Sequence, residues 1–126
     1  MGIKQSVPCA LVIDDEPDIL SLYELSLERV GVRVVAAATL AEAMQALKEP
    51  ARFNFCITDL RLPDGNGMEL VRHIQQRALE LPVAVVTAYG DVQAAVQALK
   101  AGAFDFVTKP LSPGRLREIV DHAARG

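Results

Sequence analysis

Five short apolar runs, each followed by a stretch with helical periodicity, constrain this chain more than any other feature. The runs are Cys9–Ile13 (CALVI), Val32–Ala37, Phe53–Thr58 (FNFCIT), Pro82–Thr87 (PVAVVT) and Phe104–Thr108. Near-continuous apolar character over so few residues marks strands covered on both faces, not strands with one face in water. After the first run, Pro17 suits a first helical turn, where its missing N–H is not needed. Ile19, Leu20, Tyr23, Leu27 and Val30 then recur on one helical face, and Gly31 ends it. Thr39 with Glu42 predicts a capping box for a helix running to about Lys48. A third helix carries Met68, Leu70, Val71 and Ile74; a fourth is capped by Asp91 and runs to Ala101, stopping at Gly102. Ser112 and Pro113 start the last, with Leu116, Ile119, Val120 and Ala123 facing inward.

Five β-α units of this kind imply a parallel sheet with helices on both faces, a three-layer α/β/α sandwich. Right-handed crossovers leave few topologies, and by analogy with doubly wound sheets the strand order expected is 2-1-3-4-5. The 126 residues suit one domain spanning the whole chain. A net charge of −3 argues against a broad basic face, so direct nucleic-acid binding is not expected. No apolar run reaches bilayer length and the first residues lack a secretory h-region, which predicts a cytoplasmic protein without membrane contact. The opening Met-Gly-Ile-Lys-Gln-Ser matches the loose myristoylation pattern, but that pattern fixes too few positions to weigh. Cys9 and Cys56 lie in apolar runs without CxxC spacing and read as small buried thiols.

In open parallel sheets, ligand sites form at the carboxyl ends of the strands. Asp14, Asp15 and Glu16 follow the first run, Asp59 the third, Lys109 and Pro110 the fifth, and Thr87 ends the fourth. Packed aspartates repel one another, so such a rim is unfavourable without a cation, and oxygen-only ligands open to water suit Mg²⁺. An Asp carboxylate can act as a nucleophile and form an aspartyl phosphate. Transfer of a phosphoryl group needs its equatorial oxygens neutralised, which a metal, an ammonium and a hydroxyl together supply. Taken singly, Asp14 and Asp15 read as helix caps, Asp59 as a turn residue and Lys109 as a surface charge. Their conjunction at four strand ends favours the phosphoryl site. His73 and His122 have no ligand partner at metal spacing and read as surface residues.

The runs VIDDEPDI, TDLRLPDGNGMEL, VVTAYG and GAFDFVTKP resemble the receiver domains of two-component response regulators over nearly the whole chain. The wording DLRLPDG, TAYG and ALKAGAFDFVTKP is most similar to receivers of NtrC-like and PilR-like sigma-54-dependent regulators. That resemblance implies a flavodoxin-like (βα)5 fold and a signalling switch in place of an enzyme with a turnover substrate. It implies Asp59 as phosphoacceptor; Asp15, Asp59 and the backbone carbonyl of Arg61 as direct Mg²⁺ ligands; and Asp14 as a ligand through water. Thr87 becomes the switch hydroxyl, Lys109 the phosphoryl-binding ammonium with a cis bond before Pro110, and Phe106 the switch aromatic. Arg61 and Tyr89 would flank the approach of water and set the lifetime of the phosphoryl group.

The implied partners are a sensor histidine kinase and an effector with ATPase and DNA-binding parts, from which this domain is expected to be excised, with room for a homodimer. Two other readings stand beside it. One is a Mg²⁺-dependent phosphohydrolase with an aspartyl nucleophile, although the run here is DDEPD in place of DxDx(T/V). The other is a stand-alone receiver acting only as a protein-binding module.

Overall fold

The computed structural model describes residues 7–77, 79–88, 92–109 and 111–125. Five strands, β1 (Cys9–Ile13), β2 (Arg33–Ala37), β3 (Phe55–Asp59), β4 (Val83–Thr87) and β5 (Asp105–Thr108), pair in parallel in the order β2-β1-β3-β4-β5. The helices are α1 (Pro17–Arg29), α2 (Leu40–Ala46), α3 (Gly67–Gln76), α4 (Val92–Ala101) and α5 (Pro113–Arg125), with a 3-10 turn at Pro50–Arg52. The expected three-layer sandwich and strand order are borne out.

Successive strand residues point to opposite faces, which splits the apolar runs between two cores. Leu11, Ile13, Cys56, Val83 and Val85 pack with Ala43, Leu70, Val71, Ile74 and Ala98 beneath α2, α3 and α4. Ala10, Val12, Phe55, Ile57, Ala84 and Val86 pack with Tyr23, Leu27, Leu116 and Ile119 beneath α1 and α5. Burying a side chain such as Leu70 or Ile119 completely contributes about 2 kcal/mol each. Truncating Leu70 to Ala adds a cavity to the lost burial, a cost of about 3 kcal/mol.

Several boundaries differ from expectation. The third strand begins at Phe55, not Phe53: the Phe53 N–H closes the preceding 3-10 turn on the Pro50 carbonyl at 3.1 Å, and at Asn54 the side chain, in place of the backbone carbonyl, accepts the Cys9 N–H at 2.8 Å. β2, β4 and β5 each start one residue later than their apolar runs. α2 ends at Ala46, short of Lys48. Val30, placed on the inner face of α1, is 39% exposed; it lies past the last helical residue and the chain turns outward at Gly31, whose φ is 82°. Asp91 and Pro110 lie outside the described residues. Among the described residues no helix is long and apolar enough to cross a membrane.

Candidate functional site

Register brings the chemistry to one rim. Ile13 pairs with Thr58, Asp59 with Val86, and Thr87 with Thr108, so β1, β3, β4 and β5 end together. Asp14 follows β1 directly. Its N–H bonds the Ala37 carbonyl at 3.0 Å and its Oδ1 accepts the Glu16 N–H at 2.9 Å, which turns the chain into α1. Asp14 is thereby buried, whereas Asp15, one residue on, is exposed. Carboxylate oxygens of Asp14, Asp15 and Asp59 lie within 4.8 Å of one another. Among the described residues theirs is the one group of acids, histidines or thiols arranged to hold a metal ion.

Asp59 is the last residue of β3 and 8% exposed. Its position depends on a tight return of the chain. The Gly67 N–H bonds the Leu60 carbonyl at 2.8 Å, and a Cβ at Gly67 would stand 2.4 Å from the Asp59 carbonyl oxygen. Only glycine allows that approach. Between them, Arg61–Leu62 and Gly65–Asn66 form a two-residue antiparallel hairpin. Asn66 caps α3 and Glu69 completes a capping box.

Lys109 reaches in from the end of β5. Its Nζ donates to Asp14 Oδ2 at 2.7 Å and to Asp59 Oδ2 at 3.1 Å. Burial works against its charge, but these two bonds prevail and hold its pKa above the usual lysine value. The Asp59 pKa is raised. Burial is the main cause, Lys109 opposes it, the Asp14 charge adds less, and a hydrogen bond from the Arg61 backbone N–H pulls back. The run of aspartates predicts that repulsion between carboxylates dominates. In the fold, desolvation leads, because Lys109 neutralises Asp14 and Asp59 in part.

Thr87 ends β4 fully buried, 1% exposed. Phe106 is half-buried and packs against the core beneath α2, α3 and α4. The Arg61 side chain is exposed; Tyr89 lies outside the described residues. His122 is exposed and meets the Phe104 ring edge-on at 4.9 Å; His73 is half-buried on α3, and neither belongs to the acidic group.

Two residues were not legible as parts of this region. By its spacing Tyr23 reads only as a core residue of α1. Burial drives its phenol well above the usual pKa, and the charges of Asp14 and Asp59 add to the rise. Asp64 lies in the Pro- and Gly-rich stretch between β3 and α3, yet its carboxylate accepts the N–H groups of Leu40 at 2.7 Å and Ala41 at 2.9 Å. A tyrosine in a stripe of aliphatics was a weak signal for the first. Nothing local signals the second, since its partners lie more than twenty residues away.

A profile of the response regulator receiver domain matches residues 10–121. The chain belongs to the response regulator receiver domain family. Among curated relatives, the receiver is 54% identical over 117 residues to the response regulator protein PilR of Pseudomonas aeruginosa, covering 92% of this chain and 26% of that protein. It is 36% identical over 113 residues to the transcriptional regulatory protein GlrR of Escherichia coli K12, covering 90% of this chain and 25% of GlrR. This receiver therefore spans about a quarter of the length of these relatives. Among solved structures, the beryllofluoride-activated NtrC4 receiver domain dimer aligns with a TM-score of 0.85 at 36% identity, covering 91% of this chain and 94% of that one. A receiver domain from Clostridium thermocellum aligns at 0.88 with 30% identity, covering 94% of each chain. The resemblance to PilR-like and NtrC-like receivers is borne out.

Proposed function

We propose that this receiver accepts a phosphoryl group on Asp59 from a phosphohistidine of a sensor kinase and passes the resulting change to an effector. The observation that carries the reading is the meeting of Asp59 with Asp14, Asp15 and Lys109 at one rim. In the step, an Asp59 carboxylate oxygen forms the new P–O bond while the donor's P–N bond breaks, and its electron pair leaves with the imidazole. Lys109 is placed to hold the negative phosphoryl oxygens, and Thr87 to donate its hydroxyl to one of them. The all-oxygen donor set fits Mg²⁺, with Asp15, Asp59 and the Arg61 carbonyl as direct ligands and Asp14 through water. Mg²⁺ would supply charge neutralisation for the transferred group.

In this reading Thr87 draws toward the phosphoryl group, the half-buried Phe106 ring moves into the space released, and the surface of α4, β5 and α5 changes with it. On α4, Val92, Val96 and Leu99 are exposed at helical spacing, an apolar stripe suited to a second copy or to an effector. The dimer described for the NtrC4 receiver supports the former. The larger size of PilR and GlrR supports an ATPase and DNA-binding effector in the same polypeptide, acting in sigma-54-dependent transcription in the cytoplasm. The receiver's own catalysis is limited to its phosphorylation and dephosphorylation, with the exposed Arg61 side chain, together with Tyr89, slowing the latter.

Beryllofluoride with Mg²⁺ tests the site. The expected result is a set of amide shifts around residues 59, 87 and 109 that Asp59→Asn abolishes. Equal shifts in that variant would contradict the assignment. Steady turnover of a simple phosphomonoester would favour a phosphohydrolase.

A further inference from the structure

The loop after Asp59 is held at two points. At its C-terminal end, Asn66 and Glu69 bind it to α3 through the capping box. At its tip, Asp64 accepts both the Leu40 and the Ala41 N–H. These are first-turn amides of α2, which have no partner inside the helix. The cap of that helix does not serve them, since the Thr39 hydroxyl takes the Glu42 N–H at 3.0 Å and Glu42 reaches back to the Ala38 N–H at 2.7 Å. The two surfaces are in close contact. A Cβ at Gly65 would come within 2.7 Å of the Leu40 side chain, and Leu62 and Leu40 are buried in the same core. The same loop carries Arg61, whose N–H bonds the Asp59 carboxylate.

We propose that Asp64 is a positioning residue for the phosphoryl site: by clasping the start of α2, it fixes the hairpin that presents the Arg61 backbone to Asp59 and to the metal. This rests on the Mg²⁺ and phosphoryl reading of Asp59. Asp64 touches neither group and acts only through the loop. Its two bonds hold its carboxyl below the usual pKa, so the clasp is charged at neutral pH.

The test compares Asp64→Ala, Asp64→Asn and Thr39→Ala in Mg²⁺ titrations and in amide hydrogen exchange of the metal-free protein. Thr39→Ala also strips a cap from α2 but leaves the loop clasped. Asp64→Ala should weaken Mg²⁺ binding about tenfold, as loss of an outer partner of a metal ligand does. It should also speed exchange of the Arg61 amide. Asp64→Asn, which keeps one acceptor oxygen, should fall between it and wild type. Thr39→Ala should lower the Tm yet leave both readouts at wild-type values. The proposal is overturned if either readout in the Asp64 variants stays at wild type, or if Thr39→Ala moves both equally. A wild-type protein that binds no Mg²⁺ would overturn the phosphoryl reading as well, and so separates the two failures.

Discussion

The Lys109 ammonium lies 2.7 Å from the Asp14 carboxylate, a side chain that is 1% exposed. A charge so deeply placed is tolerable only with a partner. Breaking such a pair from one side leaves the other charge buried and uncompensated. Lys109→Ala should therefore destabilise the metal-free protein by about 3 kcal/mol, measured by urea unfolding at neutral pH. A loss below about 0.5 kcal/mol, the range of surface changes, would show that the pair carries no such role.

Asp59 gives a pH dependence of defined sign. Its folded-state pKa is raised above 3.8, so the fold holds its proton more tightly than the unfolded chain does. Its contribution is most favourable below the ordinary value and is lost as pH rises through the folded one. At neutral pH the ionised group opposes folding. Asp59→Asn should raise the Tm of the metal-free protein at pH 7, and the advantage should vanish on acidification below the ordinary Asp value. Lys109 follows the same sign at higher pH: its raised pKa gives stability that is fully present below 10.5 and is lost as pH climbs through the folded value. Melting curves across pH check both, and a pH-independent gain in Asp59→Asn would contradict the assignment.

The outline of this fold was legible because the central strands β1, β3 and β4 are buried on both faces, which writes them as near-continuous apolar runs. The rim residues were legible because each directly follows or ends such a run, as Asp14, Asp59, Thr87 and Lys109 do. Strand starts were not, since Phe53 and Pro82 continue the apolar pattern, although the Phe53 N–H is taken by the Pro50 carbonyl and Pro82 has no N–H to give. The Asp64 clasp and the Lys109 bridge join residues far apart in sequence, and a pattern read along the chain carries no record of them.

Metal should couple to stability. Mg²⁺ at ten times its dissociation constant should stabilise the fold by about 1.4 kcal/mol. Asp15 is exposed and contributes to the acidic group without supporting the core, so Asp15→Asn should abolish that gain while the protein remains folded. An unchanged Mg²⁺ response in this variant, followed by thermal melting, would place the metal elsewhere.

Thr87 should separate phosphorylation from its readout. The variant Thr87→Ala should still gain the phosphoryl group. It should not show the amide shifts over residues 92–124 expected of the wild type on phosphorylation. The same shifts in both proteins would remove Thr87 as the coupling element.

The lifetime of the phosphoryl group tests the roles proposed for Arg61 and Tyr89. Arg61→Asn combined with Tyr89→Glu offers groups able to orient an attacking water in place of bulky ones. The phosphorylated mass should decay several-fold faster at fixed Mg²⁺; decay at the wild-type rate would rule out a steric shield.

The central claim is that Asp59 takes the phosphoryl group, and intact-mass spectrometry after incubation with acetyl phosphate and Mg²⁺ tests it most directly. The wild-type receiver should gain the mass of one phosphoryl group, and Asp59→Asn should gain none. Labelling of Asp59→Asn at the wild-type rate would contradict the account.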